Sequence, residues 1–119
     1  MNTYQIKKKE DFSRVFRSGN YFNCNSFTIN YATKIALTDK NFPRYGIVTS
    51  KKIGNAVKRN RIRRKLKAIV RKLTKKRGAI NRDYTYIVFG KSNAYAEKQN
   101  VIMLAMIECF KKLSKWINL

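Results

Sequence analysis

The chain has 119 residues, 44% hydrophobic and 13% aromatic, with 28 Lys and Arg against 6 Asp and Glu, a formal net charge of +22. The apolar content excludes a disordered polyelectrolyte and fits one domain, residues 1–119, with a modest core. The charge excludes an indifferent surface: a compact state this basic repels itself, so it should be stabilised by sulfate or phosphate and should take a polyanion as partner.

Residues 9–18 are expected to form a short helix, with Phe12, Val15 and Phe16 at helical spacing and Gly19 where it would stop. Residues 21–33 read as one strand, because Phe27, Ile29 and Tyr31 alternate with Thr28, Asn30 and Ala32. Residues 38–43, Thr-Asp-Lys-Asn-Phe-Pro, carry turn chemistry. A second strand is expected over 45–50, antiparallel to the first because the connection is short.

Gly54 and Asn55 interrupt that pattern, and Asn55 suits the N-cap of a helix running from about Ala56 to Leu73. Ile62, Leu66, Ile69, Val70 and Leu73 fall on one face of it. Asn60, Arg64, Lys67 and Arg71 lie opposite, Arg61, Lys65 and Lys72 on one flank and Arg63 on the other. Residues 51–77 hold 14 of the chain's Lys and Arg and no Asp or Glu. A charge run with an apolar stripe is a docked helix with a cationic outer face rather than a floppy tail. Gly78 suits its C-cap, 83–89 reads as a strand, and 95–117 as a helix on Ile102, Met106, Cys109, Phe110, Leu113 and Ile117. Lys111, Lys112 and Lys115 complement the dipole at its end. The order α-β-β-α-β-α implies an α+β fold, a two-layer α/β sandwich of helices on a sheet.

The chemistry points to binding rather than bond-breaking. The chain has no His, and its six acids include only one adjacent pair, Glu10 and Asp11, which on a helix do not face each other. Cys24 and Cys109 have no CxxC spacing, so a zinc site lacks soft ligands and two reduced thiols are expected. Neither a spanning apolar run nor a secretory signal is expected, which suits the cytoplasm. The basic helix would neutralise phosphates, with affinity falling ~10³–10⁵-fold from low to moderate salt if ~6–10 are contacted. Phe12 and Phe16, a turn apart, are ordinary core residues or a stacking surface for unpaired bases, with Thr28, Asn30 and Ala32 as the open face of the neighbouring strand.

Residues 51–67, KKIGNAVKRNRIRRKLK, closely resemble the signature of the bacterial ribonuclease P protein subunit. Asp11-Phe12, Val15-Phe16, Gly19, Arg44-Tyr45-Gly46-Ile47 and Ser50-Lys51-Lys52 match as well, so the likeness covers nearly the whole chain. It implies a sandwich of the ribosomal-protein-S5-domain-2 kind with a left-handed β-α-β crossover, the opposite of the usual hand. It implies a monomeric, non-catalytic protein subunit, one per RNA, that binds the catalytic RNA of ribonuclease P and the single-stranded 5′ leader of precursor tRNA. The RNA, with Mg²⁺ held mainly by RNA, makes the mature 5′ end.

Carried onto this chain, the catalytic-RNA surface is Lys51, Lys52, Lys58, Arg59, Asn60, Arg61, Arg63, Arg64, Lys67 and Arg71. The leader site is Phe12, Phe16, Thr28 and Asn30. No catalytic or metal-binding residue of the protein is implied. Asn30 falls where some members place a Tyr that touches the leader, which removes one stacking contact. Tyr31, one residue on, should face the core. Three other readings are a ribosomal protein of similar charge, a sequence-independent DNA-binding protein, and a membrane-active cationic helix. The last lacks aromatic anchors on the apolar side of the basic helix.

Overall fold

The computed structural model describes residues 4–5, 15–17, 20–33, 44–75 and 84–117. The strands are β1 (Tyr4–Gln5), β2 (Tyr21–Asn23), β3 (Phe27–Thr33), β4 (Arg44–Thr49) and β5 (Tyr84–Gly90). Helix α1 is described over residues 15–17. A 3-10 turn (Lys51–Ile53) precedes α2 (Ala56–Lys75), and another (Ser92–Tyr95) precedes α3 (Gln99–Ile117). The strands form one sheet in the order β1-β4-β5-β3-β2.

Two expectations need correction. The segment 21–33 is a hairpin rather than one strand, since Cys24-Asn25-Ser26 turns the chain so that β2 and β3 pair antiparallel with Tyr21 opposite Asn30. Alternation over 27–33 concealed the polar turn before it, where Asn and Ser favour chain reversal. Likewise β4 is not a neighbour of β3. Strand β5 lies between them, antiparallel to β3 and parallel to β4. A short connection said nothing about a strand that arrives some 40 residues later by sequence and inserts between the two. The parallel pair β4 and β5 is joined through α2, a β-α-β unit.

Smaller shifts occur at element ends. The last helix starts at Gln99 rather than residue 95, because residues 92–95 form a separate 3-10 turn. Strand β4 begins one residue earlier than expected, and β1, which pairs with it in parallel, was not anticipated. Phe12, the turn at 38–43, Gly19, Gly78 and Asp83 lie outside the described residues.

Strand alternation divides the sheet into two faces. Phe27, Ile29, Tyr45, Tyr86 and Val88 enter the main core with Ile62, Leu66, Ile69, Val70 and Leu73 of α2 and Ile102, Met106, Cys109 and Phe110 of α3. The whole predicted stripe of α2 is therefore buried. Phe110 meets Tyr86 edge-on at 5.0 Å, a favoured aromatic geometry. Tyr31 does face this side, stacked on Phe22 at 5.4 Å. On the opposite face Val15 of α1 packs with Ala32, Ile87 and Val48.

Helix α2 comes very close to the end of β5. A Cβ at Gly90 would sit 2.7 Å from Ile62 Cγ2 and 3.0 Å from Leu66 Cδ1, so only glycine permits this approach. No described helix is long and apolar enough to cross a membrane.

Candidate nucleic-acid interface

The first turn of α2 is built by two local devices. Gly54 takes φ of 147°, a conformation side chains resist, and turns the chain out of the 3-10 turn. Asn55 Oδ1 then accepts the Lys58 backbone N–H at 2.9 Å, the expected cap. No acid occupies this turn, so the positive helix end remains available to an anion.

The basic side chains fall into two groups. The first is held by the fold. Arg59 Nη1 donates to the Gly54 carbonyl at 2.6 Å, and Arg63 donates to Asn60 Oδ1 and, at 3.4 Å, to Thr49 Oγ1. Lys58 donates to Ser92 Oγ at 3.1 Å and lies over the Tyr95 ring, which Arg61 also covers at 5.1 Å. These contacts set the directions of the Arg59-Asn60-Arg61 group in advance, which reduces the entropy lost when a ligand is bound.

The second group points to solvent. Arg64 and Arg71 are exposed and Lys67 half-buried, opposite the apolar stripe as predicted. Arg61, Arg64, Lys65 and Gln99 line an open depression of about 360 Å³. Lys52 is exposed, and its backbone N–H donates to Ser50 Oγ at 3.1 Å. The Lys51 side chain lies outside the described atoms.

Lys65, which sequence reasoning assigned only to a flank, holds the neighbouring loop in place. Its Nζ donates to three backbone carbonyls, of Ala94 at 3.0 Å, Tyr95 at 3.1 Å and Glu97 at 2.6 Å. Burial, then the nearby Arg61 charge, lowers its pKa, with Glu97 opposing. The clamped loop holds the β2–β3 turn in its own right. Ser26 Oγ donates to Glu97 Oε1 at 2.6 Å, Asn93 Nδ2 to the Asn25 carbonyl at 3.0 Å, and Lys91 Nζ to the Cys24 carbonyl at 2.6 Å. Nothing local in the sequence announces this chain from α2 through the loop to the hairpin.

The second predicted surface lies across the sheet. Thr28 and Asn30 are half-buried on the face turned away from α2 and α3, with Thr28 donating to Asn23 Oδ1 at 3.2 Å. Phe89 is Thr28's partner on β5, and Val48 is Phe89's on β4, so both extend this face; the sequence did not mark them. Phe16 of α1 is 43% exposed and follows Val15, which is buried against another part of this face. Phe12 lies outside the described residues, so a Phe12–Phe16 pair is not seen as such.

The two surfaces lie on different sides of the molecule: a cationic helix face, and an open sheet face with aromatic and polar side chains. The first suits phosphates and the second suits unstacked bases. Among the described residues no three His, Cys, Asp or Glu side chains meet to hold a metal ion, and the nearby donors are cations and amides, a poor set for Mg²⁺.

The family model for Ribonuclease P matches residues 1–114. The chain is 40% identical over 91 residues to a ribonuclease P protein component of Listeria monocytogenes, covering 76% of this chain and 71% of that one. It is 32% identical over 113 residues to that of an Exiguobacterium species, covering 95% and 92%. The structure of the Staphylococcus aureus RNase P protein superposes with a TM-score of 0.69 at 28% identity, covering 96% of this chain and 97% of that one. Sequence match over nearly the full length, with the same fold, places the chain in the ribonuclease P protein family.

Proposed function

We propose that the chain is the RNA-binding protein subunit of ribonuclease P, holding the catalytic RNA on the outer face of α2 and the 5′ leader of precursor tRNA on the open sheet face. The observation that carries this reading is the division of α2. Its apolar stripe is buried throughout, while Asn60, Arg61, Arg64 and Arg71 remain exposed on a helix without acids.

On this reading the protein makes and breaks no bond. Its cations offset repulsion between phosphates as catalytic RNA and precursor tRNA come together. Arg61 and Arg64 engage phosphate oxygens in pairs, which lysine cannot do. Asn60 both donates and accepts where backbone and base edges meet. Phe16 offers a ring to an unpaired leader base, and Thr28 and Asn30 offer hydrogen bonds beside it. Phe12, from the same predicted helix, and Lys51 complete the two sets. Mg²⁺ belongs to the RNA, whose phosphates supply its oxygen ligands. One protein serves one RNA, in the cytoplasm.

The test is cleavage of precursor tRNA by a bacterial ribonuclease P RNA at low Mg²⁺, with and without the chain. Strong stimulation yielding the mature 5′ end is expected. Tight RNA binding without stimulation of a cognate RNA would overturn the reading and leave a general basic RNA-binding protein.

A further inference from the structure

Tyr21 is more exposed than any other aromatic side chain described, at 60%. It sits on the edge strand β2 directly opposite Asn30, so the two side chains share a face and lie about 4.5–5.5 Å apart at Cβ. That face is the open one, carrying Thr28, Asn30 and Phe89. The position is fixed rather than incidental. Phe22, the next residue, enters the opposite face and stacks on Tyr31. A slip of one residue would bring Phe22 out and Tyr21 in, at the loss of that buried contact. Asn23, two residues on, is tied on the same face by bonds from Thr28 and Lys91.

An exposed ring placed beside an amide is well suited to an unpaired base. The ring supplies a stacking plane at small entropy cost, and the amide supplies a donor and an acceptor to the base edge. Asn30 has no ring, so it cannot stack alone. We infer that Tyr21 is a stacking residue of the leader site, taking one unpaired nucleobase on its ring while Asn30 bonds that base's edge. Besides Phe16, this surface therefore takes a stacking plane from the edge strand rather than from β3. This rests on the leader reading given above.

The test uses the holoenzyme reconstituted with ribonuclease P RNA. Affinity for leader-bearing precursor tRNA and for mature tRNA is measured with wild type, Tyr21→Ala and Tyr21→Phe. Tyr21→Ala should weaken precursor binding by roughly tenfold or more, within the range of one lost base stack. Mature tRNA binding should be unchanged, and Tyr21→Phe should retain the wild-type preference. If wild type prefers precursor and Tyr21→Ala keeps that preference, or weakens both tRNAs alike, the Tyr21 assignment is overturned while the leader reading stands. If wild type shows no preference for the leader-bearing form, the leader reading falls and this assignment falls with it.

Discussion

The sulfur of Cys24 lies 3.1 Å from the sulfur of Cys109, so the β2–β3 turn meets the last helix across 85 positions of sequence. Both thiols are free. Burial first, and then the hydrogen bond with Cys24, pushes the Cys109 thiol up to about 12 from an ordinary 9.0. A diazene-type oxidant, reduced to its hydrazine as the two thiols give up two protons and two electrons, should join them in an intramolecular disulfide without unfolding. Peptide mapping would show the 24–109 link; dimers joined through these cysteines instead would contradict the geometry.

The same thiol makes alkaline stability pH-dependent. The folded state keeps the Cys109 proton to higher pH than the unfolded chain. Its contribution is complete below about 9 and is lost as pH rises toward about 12. The melting temperature of wild type should therefore fall relative to that of Cys109→Ala as pH rises through this window. Parallel curves would show that the thiol titrates alike in both states.

Lys65 and Arg64 are neighbours with opposite duties. Lys65→Met removes three bonds that hold the loop at 94–97 and should cost about 1–3 kcal/mol of stability. Arg64→Ala should change stability by less than about 0.5 kcal/mol while weakening RNA binding and lowering the salt slope by about one. Chemical denaturation and salt titration of binding separate the two effects.

Gly90→Ala should destabilise the fold by about 1–3 kcal/mol, because the added methyl drives Ile62 and Leu66 away from β5. Gly54→Ala should also destabilise, for a backbone reason: its φ of 147° strains any side-chain-bearing residue. A thermal melt of each variant checks both.

Tyr45 is buried in the main core, and its hydroxyl has no hydrogen-bond partner among the described residues. Tyr45→Phe removes an unsatisfied polar group at nearly constant shape and should raise stability by about 1 kcal/mol. A loss on denaturation would reveal a partner for that hydroxyl.

The parts of the fold legible in sequence were those governed by local periodicity. The stripe of α2 is an example, since helical spacing alone selects Ile62, Leu66, Ile69, Val70 and Leu73, all buried. So is the face of β3, where alternation put Ile29 in and Asn30 out. Non-local events were hidden. The insertion of β5 between β3 and β4 depends on pairing across the chain, and the Lys65 clamp depends on a loop some 30 residues away. The interface divides in the same way. Asn60, Arg64 and Arg71 could be placed from the helical projection, whereas Phe89 and Val48 join the open face only because of strand order. Tyr21 was hidden by the hairpin, because read as the start of one long strand it has no partner at Asn30.

Strand β3 acts as a partition with two independent accounts of selection. Phe27, Ile29 and Tyr31 answer to the core, while Thr28 and Asn30 answer to whatever lies outside. Thr28 and Asn30 are half-buried and lie outside that core, so exchange there costs the scaffold less than exchange at the inward positions. The inward positions are bound to their neighbours and change only in concert. The outer surface of this strand can therefore change while the architecture behind it stays fixed.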